Sequence, residues 1–408
     1  MAILKPFKAL RPQPEFAQEV AAAPYDVINT EEARTAAVGK PNSFLHVTRS
    51  EIDLPEGTDP YDPAVYQKAA DNLAALRELN VLIQDQEPAL YVYRIRMGEH
   101  VQTGIVGTAS VDEYDAGTIK KHEKTRPAKE NDRTRHMLAL GAQPGPVFLT
   151  YREDPEITAL ADAATTGEPL YSVTAEPNVE HMLWRVAQPA PFEERFAKVP
   201  CLYIADGHHR IASASRARAE LRRANPAHTG EEPYNFLLSV IFPHNQLQIL
   251  PYNRIIKELP GTPADLLEGL KEQFRVQPGA SPEAAERGTF RLYLEGQWHC
   301  LTPKPEIPLH EDPVAALDVS ILHARVLAPL LGIGDERTDP NVDFVGGIRG
   351  TAELERLVNE RRAACAFSLH ATSIEDLLSV ADAGAIMAPK STWFEPKLRS
   401  GLLIHPIK

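Results

Sequence analysis

The sequence predicts an α+β protein in which mixed sheets carry flanking helices. Three observations lead there. Val199–Ala205 (V-P-C-L-Y-I-A) and Phe236–Phe242 (F-L-L-S-V-I-F) are short apolar runs of the kind that form buried strands. Segments of helical period lie between such runs, but without the regular alternation of a βαβ series. Ala89–Arg96 and Thr103–Val111 read as two strands joined through a hairpin at Gly98-Glu99-His100, which is an antiparallel connection.

Along the chain, Asn29 or Thr30 caps a short helix with Glu31 and Glu32 in its first turn. Phe44–Thr48 is expected as a strand. Asp62–Asn80 is expected as a helix opened by Pro63, with Val65, Ala69, Leu73, Leu76 and Leu79 near the helical period. Lys120–Arg126 is a loop feeding a helix that starts near Pro127 and runs through Leu140. Val147–Tyr151 is a strand, and Val179–Val186 reads equally as helix or strand. Ile211–Ala224, rich in Ala and Arg, is a strong helix former. Beyond Pro260 the sequence predicts a helix over Pro263–Phe274, a strand pair over Thr289–Leu301 and a long helix over Ala315–Leu331. A strand and Gly-rich turn follow over Val342–Gly350, then a helix over Thr351–Ala364 and a strand over Ala366–His370. The tail reads as a loop with a terminal strand. The expected division lies near residue 260: an N-terminal and core region, 1–260, holding the phosphate site, and a C-terminal α/β region, 261–408, that could pack back onto it.

Composition narrows the function classes. With 43% hydrophobic residues the 408-residue chain can bury a sizeable core. Its 43 Lys and Arg against 56 Asp and Glu give −13, which argues against a nucleic-acid footprint. Cys201, Cys300 and Cys365 are odd in number and far apart, so neither a disulfide framework nor a structural zinc site is expected. No signal peptide or membrane span is legible, and the cytoplasm is the expected compartment. The 35 prolines are scattered as turn punctuation and helix starts, and no internal repeat is found.

The segment I-A-D-G-H-H-R-I-A-S-A carries the chemistry. A buried strand ends, Gly207 permits a sharp turn, and a helix begins. The first turn of a helix has unpaired N–H groups and positive dipole character, so an anion is favoured there. Arg210 can add a bidentate contact to phosphate, and His208 and His209 can donate near neutral pH. Asp206 can orient a histidine, bind a metal or accept a proton. The competing structural reading is a capped helix with a solvated Arg210.

Lys120–Arg133 forms a second cluster in an otherwise acidic chain. Lys121, His122, Lys124, Thr125, Arg126 and Arg133 are candidates for phosphate or nucleotide contacts. Glu123 among these cations should stay ionised and is a candidate base or magnesium ligand, as is Asp206. His209, Asp206 and Glu123 make up the candidate catalytic set. Lys390, Ser391 and Thr392 lack the Gly-rich approach of a Walker A loop but could line a pocket. Pro24-Tyr25-Asp26 either lines a site or makes a structural turn. A zinc site from His208 and His209 is disfavoured because adjacent rings on a turn diverge.

Tyr203–Arg210 (Y-I-A-D-G-H-H-R) resembles the D-G-H-H-R turn of the ParB/sulfiredoxin superfamily, which includes the free serine kinases and holds nucleotide phosphates at this turn. More broadly, the chain resembles the family called domain of unknown function 1015. The matching stretches are A-A-P-Y-D-V-I at 22–28, K-K-H-E-K-T-R-P at 120–127, K-E-N-D-R at 129–133, L-P-Y-N-R at 250–254 and P-K-S-T-W-F-E-P-K-L-R-S-G-L at 389–402, besides the turn itself. Position 211 is Ile where many relatives carry Tyr. The resemblance implies a ParB/sulfiredoxin-like core with additional α/β segments, a nucleotide and a small-molecule substrate as partners, and ATP or ADP with Mg²⁺ as cofactors. It implies a serine kinase-like phosphoryl transfer. A phosphatase acting on a small phosphometabolite such as phosphoserine, or a nucleotide-binding switch without turnover, would use the same residues.

Overall fold

The apolar runs become the interior strands of a mixed sheet. The computed structural model describes residues 1–176, 178–304 and 312–408. Among them, eight strands lie side by side in the order Ile119–Lys120, Leu202–Asp206, Val147–Tyr151, Phe236–Pro243, His100–Ser110, Tyr91–Met97, Val179–Arg185 and Tyr171–Glu176. A ninth, Leu4–Lys5, pairs with His100–Ser110. Leu202–Asp206 runs parallel to Ile119–Lys120, and Phe236–Pro243 parallel to Val147–Tyr151, while the other pairs are antiparallel. Val147–Tyr151 is buried at every position and Phe236–Pro243 at all but its first, as expected of strands covered on both faces. The hairpin lies where the sequence puts it, with Met97 opposite His100. Val179–Val186, open between two readings, supplies the strand Val179–Arg185.

The chain forms two compact units. The first comprises Met1–Lys121, Thr125–Leu247 and Pro396–Lys408; the second comprises His122–Lys124 and Gln248–Glu395. The first unit holds the nine-stranded sheet and a helical layer. In that layer Leu45, Val47, Leu73, Leu76 and Ile404 are buried together. The helix Pro63–Glu78 is capped by Asp62 and opened by Pro63, and Asn29 with Glu32 forms a reciprocal capping box on the helix Thr30–Ala37. Phe44–Thr48, expected as a strand, is instead a helical turn over Leu45–Thr48. The Phe44 N–H donates to the Val20 carbonyl and Asn72 donates to the His46 carbonyl at 2.7 Å, so docking onto neighbouring segments overrides the β preference of Phe and Val.

In the second unit six antiparallel strands lie in the order Phe274–Pro278, Gln297–Pro303, Phe290–Leu294, Cys365–Leu369, Tyr252–Ile256 and Val342–Gly346. The helix Gly350–Asn359 buries Leu354 and Leu357 against Trp298 and Ala366 of this sheet. That helix stops short of the expected Ala364, because the chain turns with Arg361 at φ 59° so that Ala363 can enter the core. The helix expected from Ala315 begins at Asp318 and continues to Leu331 through a π turn at His323–Leu327. No helix among the described residues is long and apolar enough to cross a membrane.

The first unit buries three neutral histidines. Burial and the nearby Arg399 charge push His181 down to about 3; its Nε2 accepts from Arg399 and its Nδ1 meets the Tyr93 hydroxyl at 2.8 Å. Burial pushes His136 to about 3 and His405 to about 4. The unfolded chain takes up these protons near pH 6.5 and the fold does not, so stability rises with pH between those limits. Each histidine should contribute up to about 1.4 kcal/mol per pH unit in that window. Urea titrations from pH 6.5 to 4.5 should show a shallower stability loss for His181→Gln than for the native chain; an identical slope would mean His181 is charged in the fold.

Candidate functional site

The strand Leu202–Asp206 is buried along its apolar length and leads straight into the helix His208–Ala224. Between them Gly207 sits at φ 98°, in the left-handed region where a side chain is strained. Gly207 is also the N-cap, a residue with no side chain to cap the helix. The capped-helix alternative, with Asp206 or His208 as the cap, therefore does not describe the turn. The Asp206 carboxylate instead faces Lys397 Nζ at 3.2 Å and Arg210 Nη2 at 3.7 Å. Burial alone would raise the pKa of Asp206, but the charges of Lys397 and Arg210 override it and hold the carboxyl well below its ordinary range.

Arg210 is buried and folds back beside Gly207. Its Nη1 donates to the Pro146 carbonyl. Its Nη2 has only distant carboxylates, Asp206 at 3.7 Å and Asp26 at 3.8 Å, and its buried Nε has no hydrogen-bond partner. Burial opposes the guanidinium charge, and Asp26 and Asp206 more than offset it. The Nε–Nη2 edge, the flat edge that accepts two oxygens of an oxyanion, is thus open. A Cβ at Gly207 would lie 3.1 Å from Nε and 3.2 Å from Cζ, over the face of the guanidinium, so the absence of a side chain lets Arg210 pack flat against the turn.

The two sequence clusters meet within the first unit. The Arg126 N–H, at the start of the helix Pro127–Leu140, donates to His209 Nε2 at 3.0 Å. The Ser213 hydroxyl donates to the Glu130 carbonyl at 3.2 Å, and Arg216 pairs with Glu130 at 3.3 Å, which fastens the two helices. Because His209 Nε2 accepts that hydrogen, its lone pair is engaged and its proton sits on Nδ1. The Thr125 hydroxyl is tied to Glu130. Arg126 is exposed, and Lys121 is exposed with its ammonium 5.9 Å from the Tyr114 ring.

Arg133 pairs through Nε with Asp132 at 2.8 Å and stacks 4.3 Å over the Tyr25 ring. Tyr25, Arg133, His136, Gly145, Arg210 and Ser400 line one narrow recess of about 20 Å³. Pro24-Tyr25-Asp26 therefore contributes to this recess and to the surroundings of Arg210. His122, Glu123 and Lys124 belong to the second unit, as do Lys390, Ser391 and Thr392. There the Pro389 and Lys390 carbonyls accept from the buried Arg254 at 3.2 and 3.1 Å, and the Ser391 hydroxyl donates to the Ala388 carbonyl at 2.7 Å. Sequence reasoning did not single out Lys397 or Ser400. The stretch 389–402 carried the signal for both, but nothing in its pattern marked which lysine would reach Asp206.

The donors at Asp206 do not suit a divalent cation, since an ammonium and a guanidinium already face its oxygens. Among the described residues no three His, Cys, Asp or Glu side chains gather as a metal site.

Fold and turn together define an α+β protein with a buried, incompletely bonded arginine beside a glycine-started helix. The chain belongs to the family described as "Protein of unknown function (DUF1015)", which matches residues 4–320. No curated protein matches it. Among solved structures it is similar to a free serine kinase in complex with AMP, at 14% identity and TM-score 0.35, covering 74% of this chain and 91% of that one. A conserved hypothetical protein from Pyrococcus furiosus matches at 15% identity and TM-score 0.34, covering 73% and 93%. SbnI with a C-terminal truncation, from Staphylococcus aureus, matches at 11% identity and TM-score 0.38, covering 71% and 82%. Likenesses this distant leave the chemistry to be argued from the residues themselves.

Gly207→Ala should destabilise the fold by about 1–2 kcal/mol through the positive φ alone. It should also abolish the stabilisation that millimolar phosphate gives the native chain in a thermal-shift assay. Retained phosphate stabilisation in this variant would place the anion elsewhere.

Proposed function

We propose that the protein transfers a phosphoryl group between a nucleotide and a small hydroxylated metabolite, with free serine as the first acceptor to test. The observation that carries this reading is the unbonded Nε of buried Arg210 beside the Gly207 turn. A buried guanidinium nitrogen with no acceptor costs stability, and a phosphate oxygen bonded there removes that cost. The N-terminal turn of the helix His208–Ala224, with its positive dipole character, lies beside it. In the reaction the acceptor hydroxyl oxygen attacks the terminal phosphorus, the bond from phosphorus to the nucleotide oxygen breaks, and that oxygen leaves with the electron pair. The hydroxyl proton goes to a carboxylate or to water. Such transfer relies chiefly on positioning and charge stabilisation.

The roles of the carboxylates sharpen on this reading. Asp206, held ionised by Lys397 and Arg210, is a weak proton acceptor and serves to orient Arg210. His209, with its Nε2 engaged by Arg126, fastens the loop and leaves the proton to another group. Glu123 remains the proton-accepting candidate, on its residue type and its place among cations in the sequence. Magnesium would accompany the nucleotide phosphates. The same engaged bases also favour a second reading, a switch that binds nucleotide without turnover.

Incubation with ATP or ADP and L-serine, followed by ³¹P NMR, separates the two. The transfer reading expects O-phosphoserine, a rate lowered on the order of 100-fold in Arg210→Lys, which loses the bidentate edge, and a similar loss in Glu123→Gln. Nucleotide binding with no product from any hydroxylated acceptor would establish the switch instead. Absence of nucleotide binding would overturn both.

A further inference from the structure

Asp206 and Arg210 stand four residues apart across the start of a helix, a spacing that lets opposite charges meet. They do not close into a hydrogen-bonded pair. Asp206 Oδ2 stops 3.7 Å from Arg210 Nη2, while the same oxygen lies 3.2 Å from Lys397 Nζ. The lysine and the arginine thus compete for one carboxylate oxygen, and the lysine is the nearer. A carboxylate bonded to Arg210 would take up the Nη2 donor and neutralise the guanidinium whose buried Nε has no partner.

Each of the three side chains is held from a different direction. The pairing of the strand Leu202–Asp206 with Val147–Tyr151 shifts register between Ile204 and Asp206, and a bulge of this kind re-aims the side chain beside it. Arg210 is tethered through Nη1 to the Pro146 carbonyl. Lys397 is delivered by the tail. Three residues beyond it, the Ser400 N–H donates to the Ala22 carbonyl at 2.9 Å and the Ala22 N–H donates to the Ser400 carbonyl at 3.1 Å. Leu10 and Ile404 exchange a second such pair of backbone bonds, and Leu398, Leu402 and Leu403 are buried in the same segment. The backbone that carries Lys397 is therefore anchored in the first unit, and its ammonium has a defined place.

We infer that Lys397 is a positioning residue of the anion site: it draws the Asp206 carboxylate aside and so keeps the Arg210 guanidinium free to take a phosphate oxygen. The inference rests on the phosphoryl-transfer reading for the use made of the site, but the competition for Asp206 Oδ2 stands on the three side chains alone. It gives the tail a part in opening the site without touching the ligand. An ion pair that only docked the tail would bring no recovery of phosphate binding when its second charge is removed along with the first.

The test combines calorimetry, using inorganic phosphate and ADP as separate probes, with crystal structures of the full chain. Lys397→Met removes the charge and keeps the bulk. Asp206 should then move within hydrogen-bond distance of Arg210, and both probes should bind more weakly by about 10-fold or more, the scale of losing a charge-assisted contact. Lys397→Arg still offers the carboxylate a cation and should bind both probes within about 3-fold of the native chain. Lys397→Met combined with Asp206→Asn removes the carboxylate that would close on Arg210, and should restore phosphate affinity to within about 3-fold of native. Should Lys397→Met fail to fold, Lys397→Gln carries the same measurements, with the carboxylate again expected closer to Arg210. Asp206 remaining at its native distance from Arg210, unchanged phosphate affinity in the single variant, or no recovery in the double variant would each overturn the assignment. Binding of neither probe by the native chain would overturn the phosphoryl-transfer reading, and the Asp206–Arg210 distance in the single variant would still decide the role of the lysine.

Discussion

A buried guanidinium whose two carboxylate neighbours both lie beyond hydrogen-bond distance organises the first unit. Arg210 makes one close bond, to the Pro146 carbonyl, and faces Asp26 and Asp206 at distances that attract without bonding. Taking an arginine out of water is costly unless its hydrogen-bonding groups are satisfied. The chain therefore brings four remote segments around it. They are the N-terminal Pro24-Tyr25-Asp26, the approach to the strand Val147–Tyr151, the end of the strand Leu202–Asp206, and the tail with Lys397. The left-handed glycine, the glycine-started helix and the second arginine in the adjoining recess all gain their chemical meaning from this one residue.

Much of this was legible in the sequence for local reasons. The strand-to-helix transition at Asp206–His208 has a glycine where the turn needs positive φ, preceded by a continuous apolar run, and that pattern is local. The same holds for the hairpin at Met97–His100, the proline-opened helix from Pro127 and the Asn29–Glu32 capping box. The helices Pro155–Ala164 and Ile374–Asp382 went unread although both announce themselves, the first by Asp154 before Pro155 and the second by Ser373 paired with Asp376.

What stayed hidden was set by distance along the chain. The turn of Leu45–Thr48 is decided by docking to segments that no local window contains. The role of Asp206 depends on Lys397, 191 residues away, and that of His209 on the Arg126 backbone 83 residues earlier. A sequence shows that a carboxylate and an imidazole stand near a glycine. It does not show that one is neutralised and the other has its lone pair occupied, and these two facts shift the proton chemistry away from both residues. The cluster at 120–133 likewise reads as one block, yet His122–Lys124 belong to a different compact unit from the residues on either side.

The first unit is interrupted between Leu247 and Pro396, and its last segment supplies Lys397, Ser400 and the backbone around Gly401, where a Cβ would collide with Phe44 at 2.7 Å. During synthesis the sheet strands and the D-G-H-H-R turn emerge from the ribosome well before that segment does. Until it arrives, Asp206 lacks its ammonium partner and the recess lacks part of its wall. The order of translation thus makes the surroundings of Asp206 the last part of the first unit to be completed. A nascent chain can hold most of its folded sheet while still having no working site for a ligand to occupy.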